Sequence, residues 1–177
     1  AIDQELGLVV TVGSVAFQAD IISVAGDALV ETIPLNGVPT DVAIDPLTHR
    51  AFVSAGQGYV QEIDLTTQEA EAAIPVYVES GSILINPVSS KAFVGLFNSS
   101  AQLLKISGSG SEGPVADPSN KFKPAGRLLF SAWHNATNLG FIVNNSRPEG
   151  TDADDGSVII IDGDTDTGAR IGLPIAS

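Results

Sequence analysis

Cysteine is absent from the 177-residue sequence, and aromatic residues make up only 6% of it. Without thiols the chain cannot form disulfides, bind a metal through thiolates or use a cysteine nucleophile. Sustained helical periodicity is also lacking, because apolar residues do not recur at helical spacing over more than a few turns. These absences exclude thiol chemistry and argue against a helical fold.

Basic residues are few. Eight Lys and Arg stand against 21 Asp and Glu, which gives a net charge of −13, and the basic residues never form a run. Because phosphates and anionic lipids repel such a chain, the sequence predicts no nucleic-acid partner and no anionic-membrane partner. Every apolar run is interrupted well before the ~20 residues that a spanning helix requires. The sequence therefore predicts no membrane span.

Turn-forming residues are abundant, with 18 Gly and 10 Pro spread along the chain. Within this background the sequence repeats itself with a period of about 41 residues, and such a period is typical of stacked repeat units. The first two copies align without a gap, Asp41–Val53 on Ser82–Val94. A looser third copy places Phe141-Ile-Val143 on Ala51-Phe-Val53 and Val158–Asp162 on Val60–Asp64.

One period contains four short β-branched or aromatic segments separated by turn residues. These predicted strands are Val42–Ile44, Arg50–Ser54, Tyr59–Asp64 and Ala70–Ile74. Four strands in about 41 residues is the spacing of a propeller blade, a sheet that must stack on its neighbours to bury its faces. We therefore predict an all-β fold of four-stranded antiparallel β-propeller blades.

The repeats divide residues 1–177 into about three complete blades and a three-stranded partial blade. The predicted units are a partial blade at 1–35, blades at 37–75 and 78–106, a loop or linker at 107–124, and a blade with an insertion at 125–174. Three arrangements remain open: a closed four-bladed ring, part of a larger ring completed by other residues or a second copy, and an open β-solenoid or sandwich.

Three segments resemble the YVTN-type propellers, a family of seven-bladed surface or periplasmic proteins. The family's "IPVG", "D-P…Y-V" and "V-I-D-x-x-T" elements are similar, in order, to Ile33–Pro39, Asp45–Val53 and Ile63–Thr67. The resemblance implies a partial or short array of such blades in an extracellular, cell-surface or periplasmic protein. Its motifs identify an architecture and carry no catalytic residues.

An acidic hairpin near the C-terminus is the one candidate metal site. Asp162, Asp164 and Asp166 alternate before Gly168, and carboxylates in a tight loop suit Ca²⁺. No Glu follows where an EF-hand supplies its bidentate ligand, and Asp, Thr and Gly also form ordinary turns. Ca²⁺ is thus the one cofactor for which we find a candidate, and a plain hairpin turn is the alternative.

Other candidate sites are sparse. Two histidines, His49 and His134, lie in predicted turns between first and second strands and have no thiol or histidine partner in the sequence, so we expect exposed turn residues. Three sequons would matter in a glycosylating secretory pathway: those of Asn98, Asn135 and Asn144. The single tryptophan, Trp133, is expected to pack between blades.

No nucleophile elbow, phosphate-binding loop or dinucleotide fingerprint is present. We therefore expect a non-catalytic binding or structural module that presents its loops to a protein or glycan partner, or to further propeller blades from the same or another chain. The alternative is part of a propeller enzyme, such as a lactonase-like hydrolase or a quinoprotein-like oxidoreductase, with its site at the central channel.

Overall fold

The computed structural model describes residues 1–76, 80–96, 103–107, 110–114, 127–145 and 157–172. Within these ranges the chain forms seventeen strands and one short 3-10 turn at Asn135–Thr137. The strands make four antiparallel sheets, each built from consecutive strands, which we number as blades 1 to 4. The prediction of an all-β fold of four-stranded antiparallel blades is confirmed.

Blades 1 and 2 cover the first half of the chain. Blade 1 contains β1 (Ile2–Asp3), β2 (Leu8–Gly13), β3 (Gln18–Ser23) and β4 (Ala28–Pro34). Blade 2 contains β5 (Pro39–Asp45), β6 (Arg50–Ala55), β7 (Tyr59–Asp64), β8 (Glu69–Ala70) and β9 (Ile74–Pro75). Because β8 and β9 both pair with β7, they form one interrupted outer strand.

Blades 3 and 4 repeat the arrangement. Blade 3 contains β10 (Ser80–Asn86), β11 (Lys91–Leu96), β12 (Leu103–Ser107) and β13 (Gly110–Pro114). Blade 4 contains β14 (Arg127–His134), β15 (Leu139–Asn145), β16 (Ser157–Asp162) and β17 (Thr167–Gly172). Among the described residues no helix is long and apolar enough to cross a membrane.

Two strands lie where the sequence predicts none. Blade 1 has four strands instead of three, because Ile2–Asp3 pairs with Leu8 and Val9 of β2. Gly110–Pro114 pairs with β12, although it falls in the range predicted as a loop or linker. A two-residue strand is too short to show alternation, and a Gly- and Ser-containing outer strand lacks the apolar residues that mark a buried one. Residues 115–126 lie outside the described part of the chain.

Alternating side chains of each strand face opposite neighbours, which gives three separate cores. Val10 and Ile21 of blade 1 pack against Val53 and Ile63 of blade 2. From the other face of blade 2, Phe52 and Val60 pack against Ile83, Ala92 and Val94 of blade 3. Phe93 of blade 3 then meets Trp133, Ile142, Ile159 and Ile161 of blade 4. Each core is therefore a junction between consecutive blades.

Phe52 and Phe93 occupy equivalent junction positions, as the first two repeats predict. In the third repeat, the sequence alignment registers Val158–Asp162 correctly and Phe141–Val143 wrongly. Equivalent strands follow three turn-closing residues at positive φ, His49, Ser90 and Asn138, so Phe141 corresponds to Phe52 and not to Ala51. The strong apolar character of β14 and β15 hid this one-residue shift, because almost any register aligns apolar residues there.

The outer faces of blades 1 and 4 are uncovered in the described part of the chain. Blades 1 and 4 share no packing comparable to that between consecutive blades. Apolar side chains on these two blades remain exposed, namely Ile2, Leu29, Val143 and Ile171. The described blades thus form an open arc rather than a closed four-bladed ring.

Candidate functional site

One end of every blade carries the turns that follow its first and third strands, and we call this the turn end. Where an Asp or Asn opens such a turn, as at Asp3, Asp45, Asp64, Asn86 and Asp162, its side chain accepts hydrogen bonds from backbone N–H groups within the same turn. Asp3 Oδ1 accepts from Leu6 at 3.0 Å, Asp64 Oδ1 from Thr66 at 2.8 Å, and Asn86 Oδ1 from Val88 at 2.8 Å. These Asp and Asn residues hold the turns in shape, so their carbonyl or carboxylate groups are partly used within the fold.

Further carboxylates at the turn end point into solvent. Glu5 is 80% exposed, and Asp27, Glu69 and Asp164 are exposed as well. Two basic side chains that the structure describes at this end are already paired, Arg50 with three carboxylates and Lys91 with Asp166. The turn end therefore presents a surface of net negative charge.

The three aspartates of the predicted Ca²⁺ site each have a separate role in the hairpin. Asp162 Oδ1 accepts from the Asp164 N–H at 2.9 Å and caps the turn. Asp164 Oδ1 accepts from Asn138 Nδ2 at 2.7 Å, and Asp166 Oδ2 accepts from Lys91 Nζ at 2.6 Å. Nowhere in the described ranges do three His, Cys, Asp or Glu side chains form a group that could hold a metal ion. These contacts favour the hairpin-turn interpretation, and Ca²⁺ binding stays a prediction.

The two histidines occupy different positions of equivalent turns. His49 closes its turn, and its Nδ1 lies 2.8 Å from Asp3 Oδ2 of blade 1. His134 opens its turn, where Nδ1 lies 2.7 Å from Thr137 Oγ1. The expectation of an exposed turn residue is wrong for His49, whose side chain is 23% exposed against a fully buried Asp3. The sequence could not reveal this contact because its partner is in another blade.

The His49 and Asp3 charges support each other electrostatically. The hydrogen bond to Asp3 raises the pKa of His49 above 6.5, although partial desolvation opposes the shift. For Asp3, burial alone would raise its pKa, but hydrogen bonds from Leu6, His49 and Glu5 together hold the pKa below 3.8. The contact between blades 1 and 2 is therefore strongest when the imidazole is protonated and the carboxylate is ionised.

This pairing predicts a pH-dependent stability. Between about pH 4 and pH 6.5 both charges are present in the folded protein, so the contribution of the pair is complete. It should be lost as the pH rises through the raised pKa of His49 and as the pH falls through the lowered pKa of Asp3. Thermal unfolding of the protein and of His49→Asn across this range measures the effect, since Asn tolerates the positive φ.

The matched control is His134→Asn, because His134 contacts a hydroxyl instead of a carboxylate. We expect His49→Asn to lower the melting temperature more at about pH 5.5 than at about pH 8.5, on the two sides of the pKa of histidine. His134→Asn should show no such difference. Parallel pH profiles for the protein and His49→Asn would contradict the assignment.

A cavity of about 410 Å³ lies between blades 2 and 3 at the turn end. Its lining residues are Thr48, Arg50, Phe52, Glu62, Glu71, Ala72 and Ser90. Arg50 Nη1 donates to Glu62 Oε1 at 2.5 Å and lies 3.6 Å from Glu71 Oε1, while Nη2 lies 3.4 Å from Asp64 Oδ2. The Glu62 hydrogen bond raises the pKa of Arg50, so the guanidinium stays charged.

These charged residues are missing from the candidate sites of the sequence analysis. A signal was available, because the repeat alignment sets Glu62 of β7 against Ile160 of β16. A polar residue at a position that is apolar in another blade marks a junction with different chemistry. The sequence alone gave no reason to connect Glu62 with Arg50, which lies in the preceding strand.

Polar side chains of the first two strands of blade 2 tie blades 2 and 3 together. Thr40 Oγ1 donates to the Ser80 carbonyl at 2.9 Å, and Ser54 Oγ donates to the Gly81 carbonyl at 2.6 Å. In the other direction, the Ile83 N–H donates to Asp41 Oδ2 at 3.0 Å. Because first strands line the central channel of a propeller, the channel-side polar groups here serve as ties between blades.

The sequons fall in different settings. Asn135 is exposed in the 3-10 turn, and Asn144 lies on β15. Asn98 lies outside the described residues. Glycosylation at the three positions stays a prediction.

The class that this fold defines is the β-propeller, and comparison with solved structures supports it. No family model matches the chain, and no curated protein matches it. These two comparisons therefore assign the chain to no family, and the YVTN resemblance stays a prediction.

Three solved structures illustrate the likeness. Hydrazine synthase of Kuenenia stuttgartiensis superposes with a TM-score of 0.76 at 12% identity over 94% of this chain and 46% of that chain. The Cps50 (Swd1) β-propeller domain of Myceliophteria thermophila gives 0.72 at 9% identity over 98% of this chain and 55% of that chain. The dihydro-heme d1 dehydrogenase NirN gives 0.64 at 15% identity over 100% and 38%.

At these identities the likeness shows a shared fold alone. Two of the three proteins are enzymes by name, and the third is named as a propeller domain without an activity. The chain spans about half the length of the solved structures it resembles.

Proposed function

We propose that this chain is a non-catalytic binding and structural propeller module that presents its turn end to a protein partner outside the cell or in the periplasm. The observation that carries the proposal is the exposed negative charge at that end, formed by Glu5, Asp27, Glu69 and Asp164. Complementary charge steers association and selects partners, so the partner's surface should be basic. A neutral glycan offers no such charge and is the less supported ligand.

The uncovered outer faces of blades 1 and 4 bear on how this chain assembles with further blades. Their exposed apolar side chains, such as Leu29 and Ile171, occupy the kind of surface that consecutive blades cover within this chain. Further propeller blades, from the same or another chain, are the proposed cover for these faces. We therefore propose that the four blades form part of a larger propeller.

A propeller enzyme with its site at the central channel is the alternative proposal, supported by the structural likeness to two enzymes, hydrazine synthase and the dihydro-heme d1 dehydrogenase NirN. Such a site needs several catalytic groups that face the channel and are free to meet a substrate. Between blades 2 and 3, however, the first-strand side chains of Thr40 and Asp41 are hydrogen bonded to the neighbouring blade. This use of the channel-side groups favours the structural module.

The proposed function predicts that the turn end binds a basic peptide. An oligolysine peptide should bind the protein with an affinity that falls as salt rises, and fluorescence anisotropy measures it. The Glu5→Gln/Glu69→Gln variant removes two exposed turn-end carboxylates that open no turn and should weaken binding by about two- to fivefold. The folded structure should be unaffected because both side chains are exposed.

The matched control is Glu31→Gln, compared with Glu5→Gln alone, because each variant removes one exposed carboxylate and Glu31 lies in the middle of β4, away from the turns. We expect this control to bind oligolysine almost as tightly as the protein does. Equal weakening by Glu5→Gln and Glu31→Gln would show that binding follows the overall charge, and would overturn the proposed role of the turn end. A neutral oligosaccharide that binds while oligolysine does not would favour the glycan alternative.

A further inference from the structure

The cavity between blades 2 and 3 interrupts the apolar pattern seen at the junction between blades 1 and 2. The pairing register equates Arg50 of blade 2 with Leu8 of blade 1, and Glu62 with Ile21. Leu8 and Ile21 are buried and fill the junction between blades 1 and 2. Blade 2 instead places an ion pair in the same positions, and a cavity accompanies it.

Stability does not explain this substitution. Glu62 is only 5% exposed, so its charge has been removed from water at a cost. An apolar pair of similar size at a buried site is commonly as stable as an ion pair or more so. Blade 1 shows that this backbone accepts the apolar pair, since Leu8 and Ile21 occupy it there. The charges therefore point to a role other than holding the blades together.

The charge balance of the cavity defines which ligand it suits. Arg50 is the one cation among the described lining side chains, and it faces Glu62, Glu71 and Asp64. An anion would have to draw the guanidinium away from these carboxylates, whereas a cation would complete their pairing. The cavity therefore favours a positively charged guest.

The remaining lining residues define the shape of that guest. Thr48 and Ser90 contribute hydroxyl groups, while Phe52 and Ala72 contribute apolar surface. Glu71 is half exposed, so its carboxylate lies where a guest would enter from solvent. A volume of about 410 Å³ is within the usual range for small-molecule sites.

We propose that the cavity between blades 2 and 3 is a binding site for a small organic cation, a primary amine or guanidine on a short apolar stem. The ammonium group donates two of its three N–H bonds to Glu71 and Glu62, the Thr48 or Ser90 hydroxyl oxygen accepts the third, and the stem rests on Phe52. The site goes beyond the proposed function, because it lies between two blades and takes a small molecule instead of a macromolecular partner.

The test uses n-pentylamine as the cation, with pentanoate and pentanol as the matched anion and neutral compound. Backbone amide signals of the full ¹⁵N-labelled chain are followed by NMR during each titration. With amine at concentrations on the order of 10 mM, we expect saturable shifts centred on Thr48, Arg50 and Ser90. Neither pentanoate nor pentanol should produce them.

Two variants make the site assignment sharp. Glu71→Gln should weaken amine binding by about two- to fivefold, as expected for loss of a half-exposed charge partner. Its control is Glu31→Gln, the residue on the outer strand of blade 1 that lies opposite Ile21 as Glu71 lies opposite Glu62. Glu31→Gln should leave the affinity unchanged.

The Arg50→Leu/Glu62→Ile variant copies the blade 1 pair into blade 2. It should fold with the same circular dichroism spectrum and a melting temperature at least equal to that of the protein, and it should lose the saturable shifts. If this variant does not fold, the comparison of Glu71→Gln with Glu31→Gln alone tests the proposed site. Unchanged amine binding in the folded double variant, equal binding of pentanoate, shifts spread over the whole acidic surface, or no shifts at all would each overturn the proposal.

Discussion

The Phe93→Ala variant is expected to lose about 3–5 kcal/mol of unfolding free energy, the usual cost of removing a fully buried aromatic side chain. Phe93 has no exposed surface and packs with Ile142, Ile159 and Ile161 of blade 4. Its ring also stacks on that of Trp133, with centroids 5.7 Å apart and planes inclined by 9°. Truncation therefore removes the main contact between blades 3 and 4 and leaves a cavity there.

Urea unfolding followed by fluorescence measures this loss directly, because Trp133 is the single tryptophan of the sequence and lies beside the mutated ring. The control is Phe17→Ala, since Phe17 is 46% exposed in a turn of blade 1. We expect Phe17→Ala to change the unfolding free energy little and the tryptophan emission not at all. A loss of similar size in both variants would mean that Phe93 is not a junction residue.

The Gly140→Ala variant is expected to be destabilised by about 1–3 kcal/mol, as is typical when a well-packed core is overfilled. A Cβ atom at Gly140 would lie 2.5 Å from Trp133 Cζ3 and 2.9 Å from Leu84 Cδ2. The indole ring is rigid and stacked on Phe93, so it has little freedom to move away. The cost should therefore fall at the upper end of that range.

The repeats explain why a glycine is needed here. Trp133 pairs with Gly140 in blade 4, in the positions where Ile44 pairs with Ala51 in blade 2. The larger tryptophan is accommodated by the smaller residue opposite it. A Trp133→Ile/Gly140→Ala variant recreates the blade 2 pair, so the added methyl should cost much less in the Trp133→Ile background than alone.

Thermal and urea unfolding of the two single variants and the double variant complete this cycle. Gly13→Ala is the control, because the nearest atom to its added Cβ is 3.7 Å away, an ordinary contact distance. Equal costs for Gly140→Ala with and without Trp133 would refute the steric explanation.

Much of the fold can be predicted from the sequence because each blade repeats a local pattern. Asp45 and Asp64 open turns, apolar residues alternate along the strands, and a residue such as Phe52 reappears one period later as Phe93. Such features depend on neighbours in the chain, which a sequence displays directly. Strands without alternation, such as β1 and β13, escape this kind of prediction.

Most of the candidate site could not be predicted in the same way. Arg50 and Glu62 look like ordinary strand residues until the hairpin brings them together, and Ser90 reaches the same cavity from the next blade. The contact of His49 with Asp3 likewise joins two blades. The carboxylates that the sequence does single out, Asp162 and Asp166, have local partners or pair with Lys91.

The separation of the core into junctions has a consequence for how such a protein evolves. After duplication of a repeat, backbone pairing within each blade preserves the sheet, while the residues at one junction diverge without disturbing the next. The change from Leu8 and Ile21 at one junction to Arg50 and Glu62 at the following one is a divergence of this kind. A chain of blades is thus a series of largely independent junctions, at each of which mutation can introduce different side-chain chemistry without loss of the common sheet.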